Sequence, residues 1–199
     1  MPDRDLVDEP TRSVLARLEA MDSLDRMDGT ERSARLRSVS PEVGRFLHAM
    51  VLASGARRVV ECGTSGGYST LWLASAARAN AGSVFTFETD PAKIEIATGS
   101  FVDSGMDDVI ALHHIDAAEG LRGLEPGSAD LVFIDTDKEY YEELLPLAVL
   151  ALRDGGTLLA DNLLSHADEL GGFRDKALQM LDGLVVPIGR GELVAVKVP

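Results

Sequence analysis

The stretch Val59-Val60-Glu61-Cys62-Gly63-Thr64-Ser65-Gly66-Gly67-Tyr68-Ser69-Thr70-Leu71-Trp72-Leu73 constrains the fold more than any other part of the chain. It reads as a short apolar strand, a glycine loop and the start of an amphipathic helix. Gly63, Gly66 and Gly67 let the backbone turn sharply and let a ligand come close to it. The helix start that follows offers free N–H groups to such a ligand. The spacing is not the G-x-G-x-x-G of dinucleotide loops, and a carboxylate, Glu61, sits just before the turn. That neighbour disfavours a pyrophosphate and favours a cationic ligand.

Downstream of residue 56 the pattern alternates between strand and helix. Residues 57–61, 83–88, 109–114, 130–135 and 156–161 read as buried strands. Helices are expected near 67–78, 91–104, 117–121 and 138–152, with a last one near 173–181. Asp90-Pro91 and Asp154-Gly155-Gly156 punctuate this order. Such alternation with near-continuous apolar strands implies a parallel, doubly wound α/β sheet. Residues 184–188 and 193–198 flank Gly189-Arg190-Gly191 as a hairpin, so the sheet should end on an antiparallel strand.

The N-terminal part reads differently. Residues 1–10 look like a frayed acidic arm, and 11–24 and 30–37 have helical spacing. Ser40 then caps a helix that starts at Pro41 and stops at Gly55. Two units follow: an N-terminal helical arm over residues 1–39 and a main domain over 40–199. The arm is placed to cover a sheet edge, cover a substrate mouth, or pair with another subunit.

With 199 residues, 45% hydrophobic and 26% charged, the chain has the composition of a globular domain with a substantial core. A net charge of −14 argues against broad affinity for nucleic acid or anionic membrane. Cys62 is the single cysteine, which excludes an internal disulfide and a cysteine-based metal site and points to a cytoplasmic location. It reads as a buried small hydrophobe, and Trp72 as a core residue.

Five successive strands end at or beside a carboxylate: Glu61, Glu88, Asp116, Asp135 and Asp161. Ligands of open α/β sheets bind beyond the carboxyl ends of the strands, so these acids should share one edge. Each could serve as a helix cap, as Asp90 and Asp116 could, but five like charges together favour a cation. Glu88 stands where an acid meets ribose hydroxyls in nucleotide folds. Asp116-Ala117 is placed to meet an adenine amino group. Asp135, Asp161 and Asn162 would present three oxygens to one point if their strands are neighbours. That set suits Mg²⁺, Mn²⁺ or Ca²⁺ better than zinc; the plainer reading is a cap at Asp135 and a turn at Asp161-Asn162.

Lys138 falls in the first turn of a predicted helix, where the macrodipole disfavours a cation. It is either a surface lysine or, beside a bound cation, a base. His113 and His114 are weak candidates for metal binding, and His166 for touching a substrate. No nucleophile-elbow pattern and no P-loop lysine is present.

Glu61 to Thr70, Phe87-Glu88-Thr89-Asp90-Pro91, Asp116-Ala117, Phe133-Ile134-Asp135-Thr136-Asp137-Lys138-Glu139-Tyr140-Tyr141, Ala160-Asp161-Asn162 and Pro187-Ile188-Gly189 together carry a resemblance. The chain resembles the cation-dependent S-adenosylmethionine O-methyltransferases, the group that holds catechol and caffeoyl-CoA O-methyltransferases and small bacterial relatives. The resemblance implies a Rossmann-like sheet of seven strands with an antiparallel last strand and helices on both faces. It implies that Glu61, Gly63, Ser65, Tyr68 and Ser69, with Gly67 in the same loop, line the methionine part of the cofactor. Glu88 would hold the ribose, and Asp116 with Ala117 the adenine. Asp135, close to the cofactor as well, would carry the metal with Asp161 and Asn162, and Lys138 would be the base. A small hydroxylated aromatic of the catechol kind is the implied substrate, Mg²⁺ the implied cation and a homodimer the implied assembly. Leu163-Leu164-Ser165-His166 follows the Asp-Asn pair where relatives carry an aromatic, a glycine and a long insertion, so the substrate site is expected to be more open. The alternatives are a methyltransferase of a hydroxylated tRNA base, an NAD-type protein, and a non-catalytic binding module of similar fold.

Overall fold

The computed structural model describes residues 6–199, so residues 1–5 of the expected arm lie outside the described residues. Helix α1 (Glu9–Asp25) starts where Asp8 accepts the Thr11 N–H at 3.1 Å. Helix α2 (Pro41–Ser54) starts as expected, with Ser40 Oγ accepting the Val43 N–H at 3.3 Å, and stops at left-handed Gly55. The helix expected over 30–37 does not form, and turns replace it. One turn closes, with the Ala34 and Arg35 N–H groups on the Glu31 carbonyl, and beyond it carboxylates of α1 take the donors: Leu36 N–H bonds Asp25 at 3.1 Å and Ser38 N–H bonds Asp22 at 3.2 Å. A segment whose N–H groups are satisfied sideways has no need of a helical ladder.

The main domain contains β1 (Arg58–Cys62), α3 (Tyr68–Ala79), β2 (Ser83–Phe87), α4 (Pro91–Asp103), β3 (Ile110–His113) and α5 (Ala117–Arg122). It continues through β4 (Ala129–Ile134), α6 (Tyr141–Ala151), β5 (Leu152–Ala160), α7 (Ala167–Met180), β6 (Asp182–Val186) and β7 (Glu192–Val196). The seven strands are ordered β3-β2-β1-β4-β5-β7-β6. The first five pair in parallel, and β7 runs antiparallel to both β5 and β6. This is the Rossmann-like doubly wound sheet with an antiparallel last strand that the sequence implied.

Three boundaries differ from expectation by three residues or more. Lys138–Tyr140 forms a separate 3-10 turn before α6 rather than the first turn of one helix. Strand β5 already begins at Leu152, which pairs with Ala129 across a register shift. Helix α7 starts at Ala167 rather than near 173, which shortens the loop after Asp161.

Alternate residues of each inner strand feed two cores, one per face. Val59, Leu131, Phe133 and Leu159 pack under α1 to α4. Val60, Cys62, Val132, Ile134, Leu158 and Ala160 pack under α5 to α7. Fully burying side chains of this size is worth about 1.5–3 kcal/mol each, so the strand tips that carry the acids rest on well-anchored strands. Trp72, 6% exposed, joins the first core, and Cys62 is buried in the second. Among the described residues no helix is long and apolar enough to cross a membrane.

Candidate active site

A cleft opens along the C-terminal tips of the strands, where the strand order reverses between β1 and β4. Its volume of about 1270 Å³ exceeds the roughly 300–1,000 Å³ usual for one small ligand. It has room for a nucleoside-sized molecule and a small second one.

The loop after β1 forms one wall. Gly63 has a φ of +104°, and a Cβ there would lie 2.2 Å from the Asp135 carbonyl oxygen. Gly67 caps α3 in the left-handed region with Phe101 packed against it. Ser65, also left-handed, donates its N–H to Glu88 at 2.9 Å and its hydroxyl to the Leu36 carbonyl at 2.6 Å. The Tyr68 hydroxyl donates to Glu19 of α1 at 2.6 Å. Gly63, Ser65, Tyr68 and Ser69 line the cleft.

Glu61 does not. It is fully buried and accepts from Ser69 at 2.6 Å, Thr70 at 2.5 Å and Thr86, its partner across β2, at 2.7 Å. Burial pushes its carboxyl up to about 7, against the three hydroxyls that favour the charged form. Its effect on the cleft passes through Ser69, a layer the linear sequence does not reveal.

The other rim acids line the cleft, each with local donors of its own. Glu88 accepts the N–H groups of Ser65, Thr89 and Asp90. Asp116 caps α5 through the N–H groups of Ala118 at 2.8 Å and Glu119 at 3.3 Å, beside Ala117 at the helix start. The capping reading is therefore what Asp116 does within the chain, and its place in the cleft is separate from that.

Asp135, Asp161 and Asn162 meet because β4 and β5 are neighbours, with Ile134 paired to Ala160. Burial pushes the Asp135 carboxyl above its ordinary range; Lys138 opposes the rise and the charge of Asp161 adds to it. Asn162 has a φ of +74°, an uncommon conformation for a residue with a side chain, and its Nδ2 is buried without a partner. The carboxylates of Asp135 and Asp161 and the amide oxygen of Asn162 are an all-oxygen set of the kind that suits a hard divalent cation, whereas the unpartnered Nδ2 is an N–H donor and no ligand. Among the described residues, no three His, Cys, Asp or Glu side chains gather to hold a metal ion, so the oxygen set here is two carboxylates and one amide.

Lys138 is held by all three of its hydrogens. They go to Asp135 Oδ1 at 3.2 Å, the Thr136 carbonyl at 3.0 Å and the Tyr141 hydroxyl at 2.8 Å. It is thus no loose surface lysine. His166 lines the cleft with Nδ1 2.9 Å from Ser165 Oγ. His113 instead stacks on Phe85 and tilts against Phe87, outside the cleft lining.

Residues 12–179 match the model of a family described as O-methyltransferase. The chain belongs to this family. It is 38% identical over 127 residues to a catechol O-methyltransferase of Mycobacterium tuberculosis (strain ATCC 25618 / H37Rv), covering 64% of this chain and 57% of that protein. It is 34% identical over 130 residues to a catechol O-methyltransferase of Niastella koreensis, covering 64% and 58%. The matched regions thus span less than two thirds of the length of these two relatives. A crystal structure of cofactor-bound Rv0187 from MTB superposes with a TM-score of 0.77 at 27% identity, covering 96% of this chain and 92% of that one.

In this O-methyltransferase-family chain, three residues of the site had no role in the sequence reading. Tyr141 is fully buried, and its hydroxyl holds Lys138 while donating to the carbonyls of Ile134 and Asp161, at 3.2 Å each. Its spacing of three from Lys138 was the available signal. Arg37, with a left-handed φ of +52°, pairs with Asp137 at 2.9 Å and ties the arm to the loop after β4. Glu192 opens β7 fully buried beside Asp161. A lone acid heading an apolar strand was its only trace in the sequence.

Proposed function

We propose that this chain transfers the methyl group of S-adenosylmethionine to one hydroxyl of a small vicinal diol of the catechol kind. A divalent cation, Mg²⁺ first, would be held by Asp135, Asp161 and Asn162. The observation that carries this reading is the meeting of those three side chains at adjacent strand tips, with Lys138 locked onto Asp135. The two relatives named catechol O-methyltransferase support it.

S-adenosylmethionine bound in the cleft supplies the methyl group, and a divalent cation supplies the Lewis acidity that makes a catechol hydroxyl acidic. The chain does the rest by positioning. The loop from Gly63 to Ser69 would hold the methionine end, with Glu61 fixing Ser69 from below. Glu88 would hold the ribose and Asp116 with Ala117 the adenine. Lys138 would serve as the base, its Nζ taking the proton of the acceptor hydroxyl as the unprotonated amine. Tyr141 keeps that amine in place from the other side.

The N-terminal arm over residues 1–39 would serve as the cover of the mouth. Glu19, Leu36 and Arg37 line the cleft and bond to Tyr68, Ser65 and Asp137. The test is a labelled S-adenosylmethionine assay over a catechol panel, with and without EDTA. Activity that survives EDTA or Asp135→Ala removes the cation from this reading, and inactivity over the whole panel removes the acceptor.

A further inference from the structure

Lys93 lies in the first turn of α4, and none of the steps above uses it. It is 9% exposed and lines the cleft, yet among the described residues no hydrogen bond and no ion pair reaches its ammonium group. Burying a charge without a partner is costly, and lysine is almost never buried unless paired. The helix dipole adds to the cost, because a first turn favours an anion over a cation. A lysine kept there against both effects calls for an anion that arrives with a ligand.

The acids around Lys93 are already engaged. Glu88 accepts the N–H groups of Ser65, Thr89 and Asp90. Asp90 caps α4 through the Ala92 N–H at 2.9 Å. Asp137, which also lines the cleft, is paired with Arg37 at 2.9 Å. None of them turns to Lys93, so the open cleft is the place from which its counter-charge can come.

The packing of α4 says which part of the cleft that is. Ile96 follows Lys93 by three residues and so shares its face of the helix. A Cβ on Gly66 would lie 3.4 Å from Ile96 and 3.0 Å from Leu36, so this face meets the glycine loop and the arm together. Helix α4 starts at the strand tips, and Lys93 is therefore one turn nearer the cleft than Ile96. Its ammonium borders the space above the loop that the proposed cofactor fills, on the side covered by the arm.

A carboxylate is the anionic group that the proposed reaction can bring there. S-adenosylmethionine carries one at its methionine end, and a catechol acid carries one on its ring or side chain. An ammonium paired with a carboxylate makes a charge-assisted hydrogen bond of the stronger kind. We propose that Lys93 is a carboxylate-binding residue of the cleft, forming an ion pair with the carboxylate of a bound ligand. This rests on the cofactor and acceptor reading given above.

Calorimetric binding to wild type, Lys93→Met and Lys93→Arg tests it with two pairs of ligands that differ by a carboxylate. S-adenosylhomocysteine is set against methylthioadenosine. Protocatechuate is set against catechol, with S-adenosylhomocysteine and Mg²⁺ present. Lys93→Met is expected to weaken the carboxylate-bearing member of a pair about 10-fold, with the other member held at wild-type affinity. Lys93→Arg keeps the charge and should retain most of the binding. Thermal unfolding of the free protein is the control, and Lys93→Met should be at least as stable because it loses an unpaired buried charge. A split in the first pair assigns the methionine carboxylate. A split in the second assigns an acceptor carboxylate and makes the acceptor a catechol acid. Unchanged affinities in both pairs overturn the inference, and so do equal losses within each pair, which would leave Lys93 only a part in shaping the cleft. Wild type that binds S-adenosylhomocysteine but neither catechol overturns the acceptor reading, and the first pair then decides on Lys93 by itself.

Discussion

Gly63 stands so close to Asp135 that a Cβ on it would lie 2.2 Å from the Asp135 carbonyl oxygen. This contact joins the glycine loop to the proposed cation site across the point where the strand order reverses. Gly63→Ala meets both that clash and a φ of +104°. It should cost about 1–3 kcal/mol from backbone strain alone and spread the tips of β1 and β4. Urea unfolding and calorimetric binding of S-adenosylhomocysteine check this, and both are expected to fall. Full affinity for S-adenosylhomocysteine would show that the loop does not need this contact.

Glu61 gives a pH dependence with a definite sign. Its carboxyl lies at about 7 in the folded chain against 4.5 ordinarily, because it is buried. The folded state therefore holds this proton more tightly than the unfolded chain does. The resulting stability is present in full below pH 4.5 and is lost as pH rises to about 7. The loss from this group is at most about 3 kcal/mol. Denaturant unfolding of wild type and Glu61→Gln across that window should show a falling difference between them; parallel curves would mean that Glu61 ionises as freely as in the unfolded chain.

Lys138 and Tyr141 separate chemistry from support. Lys138→Met is expected to lower kcat by about 10²–10⁴ while leaving S-adenosylhomocysteine affinity near the wild-type value. Tyr141→Phe removes one of the three bonds to Nζ and should lower kcat less. It also costs about 0.5–1.5 kcal/mol of stability through the lost hydroxyl bonds. Steady-state kinetics with a catechol acceptor decide; a Lys138→Met variant with unimpaired kcat leaves no proton-accepting role for this residue.

The link between Tyr68 and Glu19, at 2.6 Å, ties the arm to the helix after the glycine loop. Tyr68→Phe keeps the buried ring and removes only that bond. Hydrogen exchange over residues 9–25 should become faster, with the main domain unchanged. Equal protection in both proteins would leave the apolar packing of Leu15 and Leu18 and the Arg17–Asp103 ion pair as the anchors of α1.

Most of the rim was legible because each acid follows an apolar strand directly. Once strands alternate with helices, every strand ends on the same edge, so Glu88, Asp116, Asp135 and Asp161 had to gather there. Glu61 was readable as a carboxylate of the loop but not as a buried one. Its depth depends on Ser69, Thr70 and Thr86, and Thr86 comes from another strand. The segment over 30–37 was misread for a related reason. Its helical spacing was real, but it closes only one turn, on the Glu31 carbonyl, before Asp25 of α1 takes the Leu36 N–H.

The sequence by itself determined the alternation, the glycine turn and the family, because these depend on residue order and on local backbone preference. The tertiary structure alone decided which acids face the cleft and which stand behind it. It set Lys138 against Tyr141, the arm against Ser65 and Tyr68, and Glu192 against Asp161. Those pairs join groups whose meeting depends on strand order and register, and a carboxyl group takes its character from what surrounds it.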